Sequence, residues 1–261
     1  MSMNKISAIA GVVIKELYRR KDFYVLFVLT ALITVAAGSA KFFHDSSIVR
    51  YIKDICLLLI WISALIITIS MTARQIPAER ENRTIFPLLA KPVTRGQVIL
   101  GKFFGCWLAI GMALIVFYVF FAIVSGSREQ SWPILNYAQA ILLQWVMLGV
   151  VTAMTLLGSM IFSAPSANMT ICFIVVGGIL FLGQHLNTIA LRNPEPMRSV
   201  IYAIYFLIPH LEMFDVRERV VNDWPLIGWL VCGVAVLYGA AYTVLFLFLA
   251  WLGFRRKSLN A

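Results

Sequence analysis

The chain has 261 residues, of which 61% are hydrophobic and only 13% charged, and it carries a formal net charge of +10. Soluble globular domains have roughly 45–50% apolar and about 25% charged residues, so the composition excludes a soluble globular domain and predicts an all-α integral membrane protein. Each cysteine (Cys56, Cys106, Cys172, Cys232) lies in an apolar stretch without metal-type C-x-x-C spacing, where cysteine usually packs as a small hydrophobic residue.

The first predicted element is an amphipathic helix over residues 1–21. Apolar residues such as Ile6, Ile9, Val13 and Leu17 recur at helical spacing. The opposite face is basic and holds Lys5, Lys15, Arg19, Arg20 and Lys21. A basic amphipathic helix of this kind lies in the membrane interface.

Segments free of Asp, Glu, Lys and Arg mark the membrane spans, each of which needs about 20 apolar residues. The turn signal Ser163-Ala164-Pro165-Ser166 divides the longest such segment in two. Gly38-Ser39-Ala40 resembles a signal-peptide cleavage site, but we interpret the first span as an uncleaved anchor because a patterned helix precedes it. A single transmembrane domain, 1–261, is predicted, with spans at about 23–40, 55–73, 96–124, 138–162, 169–187 and 225–254.

Lysine and arginine indicate the orientation of these spans. With both termini in the cytoplasm, the cytoplasmic pieces carry 14 basic and four acidic residues, whereas the outer pieces carry eight of each. The basic excess therefore reflects membrane orientation, and binding of nucleic acid is not expected.

The stretch Gly96-Gln97-Val98-Ile99-Leu100-Gly101-Lys102-Phe103 is one residue short of a phosphate-binding P-loop, G-x-x-x-x-G-K-[ST]. Phe103 cannot ligate magnesium, and bulky residues occupy the variable positions. Thr94 and Gln97 instead form a capping box, flanked by the staple pair Val93 and Val98. We therefore predict a helix from Arg95 to about Val124 and reject nucleotide binding at this position.

The loop 74–95 mixes charges with apolar side chains. It is either a solvated loop with a short amphipathic helix on the membrane or a docking surface for a cytoplasmic partner. Its sequence, continued to residue 105, reads E-R-E-x-x-T-I-x-x-L-L-A-K-P-V-T-R-G-Q-x-x-L-G-K-F-x-G. This pattern resembles the loop of ATP-binding cassette (ABC) type 2 permeases, and the six-span plan matches the same family. Arg83 stands where that family usually has glycine.

The resemblance implies a coupling hairpin between spans two and three that contacts a separate ABC ATPase subunit. It also implies that residues 1–21 form an elbow helix, that two ATPase copies and a second permease copy or paralogue take part, and that the complex lies in the cytoplasmic (inner) membrane of a prokaryote. ATP and magnesium would be bound by the ATPase and no cofactor by this chain. The candidate coupling residues are Glu79, Arg80, Glu81, Thr84, Leu88, Leu89, Pro92, Val93 and Arg95.

The outer segment 199–221 is apolar at its start but too short to cross a membrane before Pro209. We predict an interfacial or re-entrant helix, and the resembled family has a re-entrant hairpin here that gates the exit. The candidate gate residues are Tyr202, Phe206 and Pro209. The following His210, Glu212 and Asp215 favour a solvated, salt-bridged loop over a metal site.

The charge-free segments that form the six spans hold no acidic or basic side chain except His185. Ion-coupled transporters need such groups, so the driving force is expected from a partner. The favoured function is the permease subunit of an ABC exporter; a scaffold or assembly subunit and a membrane redox or enzyme subunit remain alternatives. Small residues four apart suit close helix approach, either inside the bundle or between subunits: Gly101 with Gly105, and Gly149 with Ala153.

Overall fold

The computed structural model describes residues 3–19, 24, 28, 31–32, 46–81, 94–129 and 132–256. All regular structure in these ranges is helical. The α-helices are α1 (Met3–Arg19), α2 (Ser46–Arg74), α3 (Pro77–Glu81), α4 (Arg95–Glu129), α5 (Ile134–Ile161), α6 (Pro165–Arg192), α7 (Met197–Leu207), α8 (Arg217–Val221) and α9 (Trp229–Arg256), with a 3-10 helix at Leu211–Phe214.

Five helical stretches among the described residues are long and apolar enough to cross a membrane: Lys53–Glu79, Arg95–Gly126, Ile134–Ile161, Pro165–Gly183 and Trp229–Arg255. The pair Met197–Leu207 and Leu211–Val221, bent by 42°, would add a sixth if it formed one broken span. These helices agree with the predicted multi-pass membrane protein. The predicted first span, 23–40, lies outside the described residues except for isolated positions.

The long helices alternate in direction, so the bundle has two ends. We call the end formed by residues 74–81, 94–95, 161–165 and 254–256 the loop end. We call the opposite end, formed by residues 132–134 and 192–229 and the start of α2, the hairpin end. At the hairpin end the Asn136 side chain donates to the Trp224 carbonyl at 3.2 Å, which joins α5 to the segment before α9.

Two apolar clusters fill the bundle. The larger one joins α2, α4, α5, the inner face of α6 and the segment 211–221. The smaller one lies at the loop end and comprises Ile76, Ile99, Phe103, Ala153, Leu156, Met160, Ala250 and Phe254. The smaller cluster supports the start of the loop 74–95 because it joins Ile76, in the turn between α2 and α3, to α4, α5 and α9.

The predicted break between the fourth and fifth spans is confirmed: α5 ends at Ile161 and α6 begins at Pro165. Proline suits the first turn of a helix, where its missing N–H would have no partner. One turn later, the fully buried Asn168 donates to the Ala73 carbonyl at 3.2 Å and to the Ser159 hydroxyl at 2.9 Å. Gly158 has no side chain and leaves room for the amide oxygen of Asn168. Helices α2, α5 and α6 therefore meet around one polar side chain.

Two tryptophans join α4 to α5 through a reciprocal contact. The Trp107 indole N–H donates to the Trp145 carbonyl, and the Trp145 indole N–H donates to the Trp107 carbonyl, both at 2.9 Å. The rings stack with centroids 4.3 Å apart and planes 12° apart. Gly111 and Gly149 lie beneath the opposite indole, where a Cβ atom would approach within 2.5 Å and 2.9 Å respectively. Gly149 therefore serves packing inside the chain.

The N-terminal helix α1 packs against α4 at the small residues Gly101 and Gly105. A Cβ atom on Gly101 would lie 2.8 Å from the Cβ of Ile9, and one on Gly105 would lie 2.7 Å from the Cβ of Val13. Glycine is needed here because the two helices approach so closely. The sequence left open whether Gly101 and Gly105 pack inside the bundle or between subunits. Their contacts with α1 show that they pack inside the chain.

Replacing Gly105 with alanine should loosen α1, because the added methyl group would overlap Val13. Overpacking costs about 1–3 kcal/mol, so the open state of α1 should rise by about 5- to 150-fold. The measurement is the rate of tryptic cleavage after the exposed Lys15. Gly11→Ala is the matched control because a Cβ there meets nothing within 4 Å. Equal cleavage rates in the two variants would contradict the close contact.

The last helix begins at Trp229, four residues after the sequence-predicted start at 225. The Gln139 side chain pairs with both backbone polar groups of Ile227 and keeps this residue outside the helix. The Gln139 amide donates to the Ile227 carbonyl and accepts from its N–H, both at 3.0 Å. Local periodicity could not show this because the partner lies on another helix.

Candidate coupling site

The corner between α2 and α3 is held by a buried lysine from α4. Lys102 Nζ lies 2.7 Å from Glu79 Oε1 and donates to the Gln75 carbonyl at 2.8 Å. The Lys102 side chain is 2% exposed, whereas that of Glu79 is 30% exposed. Burying an ammonium group without partners is strongly unfavourable, so the pair fixes where α3 begins relative to α4.

The other side of the loop is fixed by Arg95, the first residue of α4. Its Nη1 atom donates to the carbonyls of Phe254 at 2.7 Å and Arg255 at 3.0 Å, and its guanidinium carbon lies 5.5 Å from the centre of the Phe254 ring. The last carbonyls of a helix have no partner within it, and a cation at this position also interacts favourably with the negative end of the helix dipole. Arg95 thus caps the C-terminal end of α9.

The predicted capping box is confirmed. The Thr94 N–H donates to the Gln97 side-chain oxygen at 3.0 Å, and the Gln97 N–H donates to the Thr94 hydroxyl at 3.3 Å. The near-P-loop stretch is therefore the first two turns of α4, which leaves its backbone amides inside a helix instead of in a phosphate-binding loop. The staple partner Val93 lies outside the described residues.

Glu79, Arg80 and Glu81 lie together on α3, and Arg95 lies at the start of α4. Glu79 and Arg95 contact the bundle, whereas Glu81 is exposed. The remaining predicted coupling residues lie outside the described residues: Thr84, Leu88, Leu89, Pro92 and Val93. The structure thus gives Glu79 and Arg95 internal contacts that the sequence did not reveal.

The predicted gate residues lie around α7 at the hairpin end. Tyr202 and Phe206 stack with ring centroids 6.4 Å apart, and Phe206 is 72% exposed. Helix α7 ends at Leu207, and Pro209 is buried just after it. The helix has 11 residues, about 16 Å, and is too short to cross a membrane alone.

The segment after Pro209 holds a hydrogen-bonded His–Glu contact and an Arg–Asp ion pair. His210 Nδ1 lies 2.9 Å from Glu212 Oε1, and Arg217 forms a two-pronged pair with Asp215 whose shortest contact is 2.6 Å. Burial is the largest single influence on the Arg217 guanidinium and lowers its pKa, but the hydrogen bonds to Asp215 together with the negative charges of Asp215 and Asp54 outweigh burial and raise the pKa. The Arg217 guanidinium also lies 5.0 Å from the Trp61 ring centre, which ties this segment to α2.

A polar cavity of about 840 Å³ opens between the start of α2 and this segment. Its charged lining holds two arginines and four carboxylates: Arg50, Arg217, Asp54, Glu212, Asp215 and Glu218. Since Arg217 already neutralises Asp215, the remaining lining is acidic. Among the described residues, no group of three or more His, Cys, Asp or Glu side chains has metal-binding geometry.

Lys102 was not among the predicted site residues, although the resemblance covered it as the lysine of the closing G-K. A signal was present: a single lysine directly before a 25-residue charge-free segment must find a partner if its helix is buried. The partner itself could not be identified because many acidic residues satisfy the same rule.

No curated protein in the comparison matches this chain. The family model of the ABC-2 family transporter proteins matches residues 8–259. Because that match covers nearly the whole chain, including the α2–α4 corner and the hairpin, the chain belongs to the ABC-2 transporter family and is one of its multi-pass membrane transport subunits.

Proposed function

We propose that this chain is the transmembrane permease subunit of an ABC exporter and that a separate cytoplasmic ATPase subunit docks on the loop 74–95. Family membership supports an ABC ATPase partner in general. The observation that carries the docking position is the double attachment of this loop. Lys102 holds its first helix through Glu79, and Arg95 holds its end against α9.

The role of the chain in this proposal is mechanical. ATP and magnesium bind to the partner, and closure of two ATPase subunits displaces the loops of two permease copies. A displacement of α3 reaches α4 through the buried Lys102–Glu79 pair. If the two helices separated, the buried Lys102 ammonium group would lose its carboxylate partner, which is strongly unfavourable. A flexible, unattached loop would absorb the same displacement without moving the bundle.

The proposed orientation places the loop end in the cytoplasm of a prokaryotic cell and the hairpin end outside. The uneven distribution of lysine and arginine supports this orientation. Tyr202 and Phe206 then face the outer side, where α7 would act as part of the exit gate. The exposed faces of α6 and α9 are apolar, as expected for surfaces in contact with lipid or a second permease copy.

Charge reversal at the exposed Glu81 should weaken ATPase docking by about tenfold and make docking less sensitive to added salt, because an attractive charge at the proposed rim of the contact becomes a repulsive one that salt screens. The measurement is the amount of ATPase subunit that copurifies with tagged chain from native membranes, together with ATP-driven transport. Glu195→Lys at the hairpin end is the matched control.

Two results would contradict the proposal. One is the absence of any ATPase subunit from the purified complex, and the other is transport by vesicles that hold this chain alone. If both Glu81→Lys and Glu195→Lys dock normally, Glu81 does not belong to the contact surface. The other loop residues can then be tested by the same assay.

A further inference from the structure

The last helix, α9, is attached to the loop 74–95 at its C-terminal end. Both hydrogen bonds from Arg95 go to backbone carbonyls of Phe254 and Arg255, across 159 and 160 positions of sequence. Gly96 also lies against Trp251, because a Cβ there would contact the indole ring at 3.5 Å. Movement of the loop where it enters α4 is therefore passed directly to the end of α9.

The same helix is attached to the hairpin near its middle. The Tyr238 hydroxyl accepts a hydrogen bond from the His210 backbone N–H at 3.0 Å. One turn later, the Tyr242 hydroxyl donates to the Phe206 carbonyl at 3.4 Å. These two bonds hold the chain on both sides of Pro209, between α7 and the 3-10 helix.

Gly239 allows α9 to approach the hairpin closely at this second attachment. A Cβ on Gly239 would lie 3.1 Å from the Phe214 ring and 2.5 Å from a methyl group of Val146. Helix α9 thus approaches the 3-10 helix and α5 at the same residue. Helix α9 holds no proline, so its hydrogen-bond ladder is not interrupted between the two attachments, about 24 Å apart along its axis.

We infer that α9 is a rigid connector between the start of α4, where the loop 74–95 enters that helix, and the hairpin 197–221, with Arg95 as the positioning residue at the C-terminal end of α9 and Tyr238 and Tyr242 near its middle. The inference rests on the proposed function only in taking the loop as the place where the ATPase acts. The attachments themselves need no partner, so α9 connects the start of α4 to the hairpin in the isolated chain as well.

The test measures the hairpin while the loop end is changed. Met213, which is 54% exposed on the 3-10 helix, is replaced with cysteine and labelled with a membrane-impermeant maleimide in vesicles that hold the full chain. The native cysteines are buried and contribute little labelling. Arg95→Gln should change the labelling rate of Met213→Cys by about 2- to 30-fold, the range expected along a coupled network.

Two controls separate coupling from general loosening. Arg255→Gln removes a charge from the same helix end but keeps the carbonyl that Arg95 uses, and it should leave the rate unchanged. A Leu135→Cys reporter, 60% exposed at the start of α5, should not respond to Arg95→Gln. Arg95→Lys should restore part of the wild-type rate because it keeps one charged donor.

Unchanged labelling of Met213→Cys in Arg95→Gln would overturn the inference, and so would equal changes at Leu135→Cys. If Arg95→Gln fails to accumulate, Tyr238→Phe is tested in the opposite direction with Glu81→Cys as the reporter. Coupling between two sites is reciprocal, so the rate at Glu81→Cys should change as well. Since neither assay needs an ATPase or a cargo, failure here leaves the proposed function standing, and failed copurification leaves the connector standing.

Discussion

Replacing Glu79 with alanine should destabilise the protein more than replacing Lys102 with methionine. The first change leaves an ammonium group that is 2% exposed without its carboxylate, whereas the second leaves a carboxylate that is 30% exposed and can be hydrated. Breaking a buried ion pair costs about 3–5 kcal/mol, and the partial exposure of Glu79 places the expected loss near 3 kcal/mol. Thermal unfolding of the purified chain in detergent measures both variants.

The double variant Glu79→Gln/Lys102→Met separates stability from coupling. Replacing both charges removes the stranded ammonium group, so most of the free energy of unfolding should return. The attachment of α3 to α4 is still lost, and ATP-driven transport should therefore stay low although the protein folds. Glu81→Ala, two residues further along α3 and exposed, is the stability control and should change the unfolding free energy by about 0.5 kcal/mol or less.

Full transport by the double variant would show that the ion pair only stabilises the corner. Equal unfolding temperatures for Glu79→Ala and Lys102→Met would show that the two charges share the same degree of burial in the membrane. Either result would weaken the mechanical role given to this corner, because that role depends on a buried charge that cannot leave its partner.

Features set by neighbouring residues were predictable from the sequence. The start of α4 follows from the Thr94–Gln97 capping box, and the break before α6 follows from Pro165. Both signals work within a single helix, so no knowledge of the fold is needed. The multi-pass architecture followed in the same way from apolar segments of spanning length.

Features that join different helices were not predictable. Arg95 was assigned to an ATPase contact by resemblance, yet it also binds the end of a helix 159 positions away. Trp107 and Trp145 each lie in an apolar helix, where a tryptophan can face lipid, the core or a partner. Only the packing of α4 on α5 shows that these two contact each other. A single sequence contains no information on such pairs, because each helix face is compatible with many neighbours.

Replacing Trp145 with alanine should separate α4 from α5 and is expected to have the largest effect among the core substitutions. The change removes the stacked ring pair and the hydrogen bond from the Trp145 indole N–H to the Trp107 carbonyl, and it uncovers Gly111. Tryptophan-to-alanine changes in a core cost about 3–5 kcal/mol. Thermal unfolding should therefore shift strongly, and because the reciprocal contact joins the two central spans, transport should fall with it.

The matched control is Trp229→Ala, since Trp229 is 60% exposed at the start of α9 and should tolerate the same truncation. Trp145→Phe divides the effect further, because phenylalanine keeps an aromatic ring over Gly111 but cannot donate to the Trp107 carbonyl. If stacking dominates, Trp145→Phe should retain most of the stability that alanine loses. If Trp145→Ala unfolds at the same temperature as Trp229→Ala, α4 and α5 are held together by the surrounding aliphatic residues, and the tryptophan pair is not the contact that makes these two spans move as one.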